Sequence, residues 1–214
     1  GLPSDPRGGA ADADWARRAA PAHESLSIPA QVNYVGQALD LGAAGYVFHG
    51  SALAIARYLN ATWLWERVRV QGGAYGGFCR YDRSANTLFL LSYRDPNLEK
   101  TLEAFRGAAE FLRTAPISDD EVRKAIIGAI GELDAPLLPD AKGYASLIYR
   151  LIGLDDAERQ RRRDEVLATG IAHFRAFGEA MAAAAPRIAV LGPRERVRAA
   201  PFPAGEPRRD LAVL

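Results

Sequence analysis

The sequence predicts an α+β fold: a two-layer sandwich in which a mostly antiparallel sheet carries helices packed on one face. Three observations lead there. The elements run strand, helix, two hairpin strands, several helices and a closing strand, without the long βαβα alternation of a parallel sheet. Helix start signals are concentrated in the second half of the chain. Hydrophobic residues make up 49% of 214 residues and charged residues 25%, enough for a core in one large domain.

The elements follow in order. Residues 1–24 are rich in Gly, Pro, Ala and charge and read as a linker or loosely attached arm. Residues 25–214 read as one domain. In "SLSIPAQVNYVGQAL", Asn33 and Val35 alternate with Val32 and Tyr34 as in a strand. The loop "LGAAGYVFHG" follows. Leu53, Ala56, Leu59 and Trp63 then recur at helical spacing, predicting a helix over residues 51–67 with a possible break near Asn60. Residues 72–82 and 86–94 form a predicted hairpin around the turn-rich "DRSAN". Its second arm, "NTLFLLSYR", is apolar enough for a strand buried on both faces.

Asp95 and Pro96 offer a cap and a first helical position. Leu98, Leu102, Phe105, Ala109 and Leu112 then form one stripe. "SDDE", Ser118 to Glu121, is a capping box. The helix it launches should bury Val122, Ile126, Ala129 or Ile130, and Leu133. "LLPDAKG" breaks the chain before a helix over residues 144–151, and Asp155 with Glu158 suggests another cap. Ile171, Phe174, Phe177 and Met181 mark a helix over 171–184, "RIAVLG" a closing strand, and the rest a Pro- and Arg-rich tail.

Bulk chemistry excludes several functions. A net charge of +1 leaves no footprint for nucleic acid or an anionic membrane. No run of about 18 apolar residues predicts a membrane span. The single cysteine, Cys79, rules out an internal disulfide framework and fits a reducing compartment. His23, His49 and His173 are far apart and belong to no zinc motif, and no G-x-S-x-G nucleophile appears. The chain begins at Gly1 and its only methionine is Met181, which leads to the expectation of a processed chain or a piece of a longer one.

The stretch with chemistry in it is "RVRVQGGAYGGFCRYD", Arg67 to Asp82. A P-loop would need a lysine after the glycines, and a dinucleotide loop would follow a strand and open a helix; neither condition holds. Two readings stay open. The glycines can mark a bulge at a tightly packed sheet edge. They can equally make room for an extended peptide adding itself to that edge, with Gly72, Gly73, Ala74 and Gly76 as its bed. In the second reading Arg69 and Tyr75 are two donors aimed at a peptide carbonyl, and such donors act most strongly where negative charge develops. Arg67 is the rival arginine.

"LWERVRVQGGAYGGF", "SYRDPN", "IGAIGELDAPLLPDAKGYASL" and "VNYVGQA" together resemble the last domain of the presequence-protease branch of the pitrilysin-type metallopeptidases, over about residues 25–190. The resemblance implies a pitrilysin-type domain within a much longer chain of four such domains, closed as two halves around a chamber. It implies zinc bound by an inverted H-x-x-E-H motif in another domain, none bound here, and unstructured peptides as substrates. It places the substrate-binding arginine and tyrosine at Arg69 and Tyr75. The motif is absent from these residues, so the chain alone is expected to be inactive, with the zinc-bearing N-terminal half as partner. The compartment implied is the cytoplasm of a bacterium, or the mitochondrial matrix or plastid of a eukaryote. The alternative is a non-catalytic pitrilysin-like peptide-binding or scaffold subunit.

Overall fold

The computed structural model describes residues 21–203 and 208–212. Six strands form one sheet: β1 (His23–Ser27), β2 (Asn33–Asp40), β3 (Gly76–Asp82), β4 (Thr87–Asp95), β5 (Pro186–Gly192) and β6 (Arg208–Ala212), in the spatial order β3-β4-β2-β5-β1-β6. The pairs β3–β4, β4–β2 and β2–β5 are antiparallel, whereas β5–β1 and β1–β6 are parallel. The sheet is therefore mostly antiparallel, as the element order predicts, with a parallel extension at one side.

The helices are α1 (Ser51–Leu59), α2 (Glu99–Thr114), α3 (Asp119–Leu133), α4 (Pro139–Leu151), α5 (Asp156–Leu167), α6 (Ile171–Ala183) and the short α7 (Arg194–Arg198). One core joins all of these but α4 to the inner face of the sheet, where Val35, Leu88 and Leu90 meet Leu59, Leu64, Leu102, Phe105, Phe174 and Phe177. Phe105, Phe174 and Phe177 are fully enclosed. Their rings remove the most apolar surface from water per residue, so they dominate the stabilisation of the layer contact.

Several expectations need correction. Residues 1–20 of the proposed arm lie outside the described residues, but His23 and Glu24 already belong to β1. The expected helix over 51–67 does not break at Asn60. Its winding changes there to a π-helix, Asn60–Val70, which carries it three residues further. The first hairpin arm starts at Gly76 rather than 72. Strand β4 is buried on one face only: Leu88 and Leu90 are enclosed, while Leu91 and Tyr93 are exposed. Helix α2 begins at Glu99, because the buried Asp95 still ends β4. The Asp95 carboxylate accepts the Asn97 N–H at 2.8 Å and the Thr101 hydroxyl at 2.6 Å, so it braces the turn rather than capping the helix. Helix α4 starts at Pro139, since proline in the first turn opens a helix instead of breaking it. Leu133 and Ile171, expected inside, are exposed. The tail contains α7 and the edge strand β6. The capping box holds: the Glu121 N–H donates to Ser118 Oγ at 3.3 Å and the Ser118 N–H to Glu121 Oε2 at 2.8 Å.

Candidate functional site

The π segment carries two arginines to different places. Two aromatic rings sit four residues before them, and each guanidinium lies over its own ring: Arg67 over Trp63 at 5.0 Å and Arg69 over Trp65 at 4.3 Å. Trp63 is tied to α2, since its indole N–H donates to the Ala104 carbonyl at 2.7 Å and its ring stacks on Phe111. Arg67 therefore lies in a groove with Lys100 and Glu103. Arg69 and Trp65 instead line a cleft of about 690 Å³ with Asn60, Tyr75, Phe78 and Tyr93. A cation–π contact of this kind restrains a long side chain without neutralising it.

The glycine turn sets where Tyr75 comes out. Gly73 has φ +75°, a conformation that glycine adopts freely. Its N–H donates to the Arg69 carbonyl at 2.9 Å, and the Ala74 N–H donates to the Val68 carbonyl at 3.1 Å, so the chain leaves the helix sharply. A Cβ on Gly72 would lie 2.5 Å from the Val68 carbonyl oxygen, and one on Gly77 3.1 Å from the Val68 Cβ. Gly72 lets the chain fold back on the last helical turn, and Gly77 lets the helix end lie against the strand.

Tyr75 emerges 68% exposed, with its ring edge-on to Tyr93 at 5.9 Å. Tyr93 is edge-on to Tyr34 at 5.4 Å, so three tyrosines form a chain from the residue before β3 across β4 to β2. A bulge builds the floor of this array. Asn33 pairs with Asp95 but Val35 with Ser92, which leaves one extra residue on β4. Arg94 within it has φ +48°, and its carbonyl accepts the Tyr75 N–H at 3.4 Å. The hairpin pattern in the sequence contains no signal of that bulge.

The expected site residues are thus divided. Arg69, Tyr75 and Gly76 share the cleft, joined by Gly77. Gly72 lines the Arg67 groove, Gly73 is the turn, and Ala74 is buried. The open face beside the cleft carries Phe78, Leu91 and Tyr93, 49%, 37% and 44% exposed. Strand β3 is an outer strand of the sheet. Its Cys79 peptide groups are occupied by the Asn60 amide: Nδ2 donates to the Cys79 carbonyl at 2.8 Å, and the Cys79 N–H donates to Oδ1. Cys79 is enclosed, and burial pushes its thiol well above the ordinary range, which removes it as a nucleophile.

Spacing alone concealed one pair of histidines. His49 and His173 stack at 4.7 Å, and each turns Nδ1 toward a helix start, accepting from the N–H of Ser51 at 3.2 Å and of Gly170 at 3.0 Å. For His173 this is a capping role, whereas His49 also meets the Ser51 hydroxyl at 2.8 Å. Among the described residues no three His, Cys, Asp or Glu side chains form a metal-holding group, so the residues present do not fit zinc.

A family model described as the PreP C-terminal domain matches residues 23–187. Presequence protease 1, chloroplastic/mitochondrial, of Arabidopsis thaliana is 48% identical over 180 residues, covering 84% of this chain and 16% of the relative. Protein HypA of Clostridium perfringens is 30% identical over 178 residues, covering 82% and 18%. The chain thus spans about a sixth of the length of these relatives. Among solved structures, pitrilysin superposes with a TM-score of 0.65 at 11% identity, covering 89% of this chain and 21% of that one. The inactive peptidase domain of a putative zinc protease from Bordetella parapertussis superposes with a TM-score of 0.60 at 18% identity, covering 84% and 98%.

Proposed function

The chain belongs to the PreP C-terminal domain family, and from that premise we propose that it is the substrate-binding wall of a zinc-dependent oligopeptidase that cleaves unstructured peptides. Arg69 and Tyr75 are the groups that meet the peptide at the bond to be cut. Lewis-acid chemistry would come from zinc held by another domain of the longer protein. What this chain contributes is a guanidinium and a phenol that hydrogen-bond the carbonyl oxygen as negative charge gathers on it. The observation that carries this reading is the shared cleft: Arg69 and Tyr75 open into one space, and Arg67 opens into another.

The surroundings suit a peptide backbone. Gly76, next to Tyr75, is covered by the Phe78 ring, which a Cβ there would meet at 2.6 Å. Phe78 is half exposed, so a guest backbone reaches Gly76 only when this ring is displaced. Because the Cys79 edge groups are taken by Asn60, a guest strand would pair along the Gly76 end of β3 rather than along all of it. Unstructured substrates follow from this, since a folded protein does not offer a free strand to such a short edge.

The test combines this chain with a zinc-bearing half and follows chelator-sensitive cleavage of an unstructured peptide. Cleavage that depends on both parts supports the proposal. A second reading, a non-catalytic peptide-binding or scaffold subunit, draws on the likeness to the inactive Bordetella parapertussis domain, nearly all of which this chain covers. Peptide binding by this chain with no cleavage in the mixture would favour that reading. The relatives named for mitochondria and chloroplasts suggest an organelle for a eukaryotic source and the cytoplasm for a bacterial one. Among the described residues no helix is long and apolar enough to cross a membrane.

A further inference from the structure

Four arginines with described side chains are half-buried: Arg83, Arg162, Arg163 and Arg175. Three have acceptors. Arg162 donates to Glu158 Oε1 at 2.6 Å, Arg163 to the Asp134 carboxylate, and Arg175 to the carbonyl oxygens of Leu112 and Ala115. Arg83, in the turn between β3 and β4, has neither a hydrogen bond nor an ion pair among the described residues. Its neighbour Asp82 is engaged, accepting the N–H groups of Ser84 at 2.8 Å and Ala85 at 3.3 Å.

The Arg83 side chain enters a cleft of about 430 Å³ between that turn, the end of α3, and helices α4 and α5. Leu133 and Leu154 supply apolar wall, and Arg159, Arg162 and Arg163 supply charge. Arg159 lies over the Tyr149 ring at 4.9 Å and donates to Asp156 at 2.8 Å. Asp134 and Asp156, the two carboxylates in the lining, are thus each already paired with an arginine. Burial and then the like charge of Arg162 hold Arg83 below the ordinary guanidinium range, against a weaker opposing pull from Tyr149 and Asp82. A half-buried charge left in this state is costly unless an anion completes it.

We propose that this cleft binds a compact phosphoryl anion, inorganic phosphate or a phosphate monoester, between Arg83 and Arg162. A planar carboxylate satisfies one guanidinium fork. A tetrahedral phosphoryl group presents oxygens in several directions and can accept from both forks at once. The cleft is lined by different residues from the Arg69–Tyr75 cleft, so the two sites stand or fall separately.

Isothermal titration and thermal unfolding of the 214-residue chain, with inorganic phosphate and with phenyl phosphate, test the proposal against acetate and against sodium chloride at matched ionic strength. Both phosphoryl ligands should raise Tm. Tighter phenyl phosphate binding identifies a monoester as the ligand, and tighter phosphate binding identifies the free ion. Arg83→Gln should weaken binding at least tenfold, while Arg106→Gln, an exposed arginine on α2, should leave it unchanged. If Arg83→Gln does not fold, Arg83→Lys keeps the charge, loses the fork and should weaken binding several-fold. The proposal is overturned by an equal Tm rise in chloride, by acetate binding as tightly as phosphate, or by an Arg83 variant that folds and binds like the parent.

Discussion

The two faces of the sheet are built from the same kinds of residue to opposite ends. On β4, Leu88 and Leu90 point into the helices and are sealed, while Leu91 and Tyr93 point away and stay open. A solvated sheet face normally alternates to polar residues. This one keeps apolar ones, and it keeps them beside Tyr75. The inner face shows what apolar residues do for stability, and the outer face shows apolar residues available to something outside the domain.

That contrast can be broken at several points. The largest effect belongs to the inner face: Leu90→Ala should cost about 2–5 kcal/mol by leaving a cavity, whereas Leu91→Ala should cost less than about 1 kcal/mol. Urea unfolding of both variants measures the difference, and equal losses would mean the outer face is packed as well. Next is Tyr75→Phe. In the assembled enzyme it should lower kcat by about 10²–10³ with no change in Tm, because the phenol is exposed. Near-normal turnover would remove Tyr75 from the reaction. Third is the arginine pair: Arg69→Ala should raise KM and lower kcat about tenfold or more, as expected for a lost charged donor, while Arg67→Ala leaves both near the parent values. A reversed order would assign the site to the other groove.

The smallest effect lies far from either face. Ser118→Ala should cost about 1 kcal/mol by removing a helix cap. The Ser118 N–H and hydroxyl hold the Glu121 carboxyl below its ordinary value. A depressed carboxyl pKa stabilises the fold above the unfolded-state value and loses that contribution as pH falls through the folded value. The difference between variant and parent should therefore be largest at neutral pH and shrink without vanishing in acid, because protonation of Glu121 removes the hydroxyl–carboxylate bond but not the cap on the Glu121 N–H, as followed by Tm across pH.

Sequence reasoning reached the architecture because the architecture follows from periodicity and caps. Ser118 with Glu121 and Asp155 with Glu158 act locally, so their signals survive in the chain order. It missed β1 and β6, whose parallel pairing joins His23 to Ile188 and to Arg208, positions remote in sequence. It paired Arg69 with Tyr75 but could not separate Arg69 from Arg67, because that choice depends on helix winding and on Trp63 being held by α2. Gly72 and Gly73 belong to a helix end rather than to a strand, and only the position of the Val68 carbonyl reveals it. Arg83 drew no notice, since an arginine in a polar turn has no sequence signal of enclosure.

The π winding has a consequence for how this chain can vary. Helices commonly tolerate gained or lost residues because the change slides into an adjoining loop. Here the segment is clamped at its start by Asn60 on Cys79 and at its end by the turn at Gly73. A length change within residues 60–70 has no slack at either end to enter, so it must rotate Arg69 about the helix axis. Related chains can be expected to differ freely in the connection between α3 and α4, yet to keep one invariant count of residues from Asn60 to Tyr75.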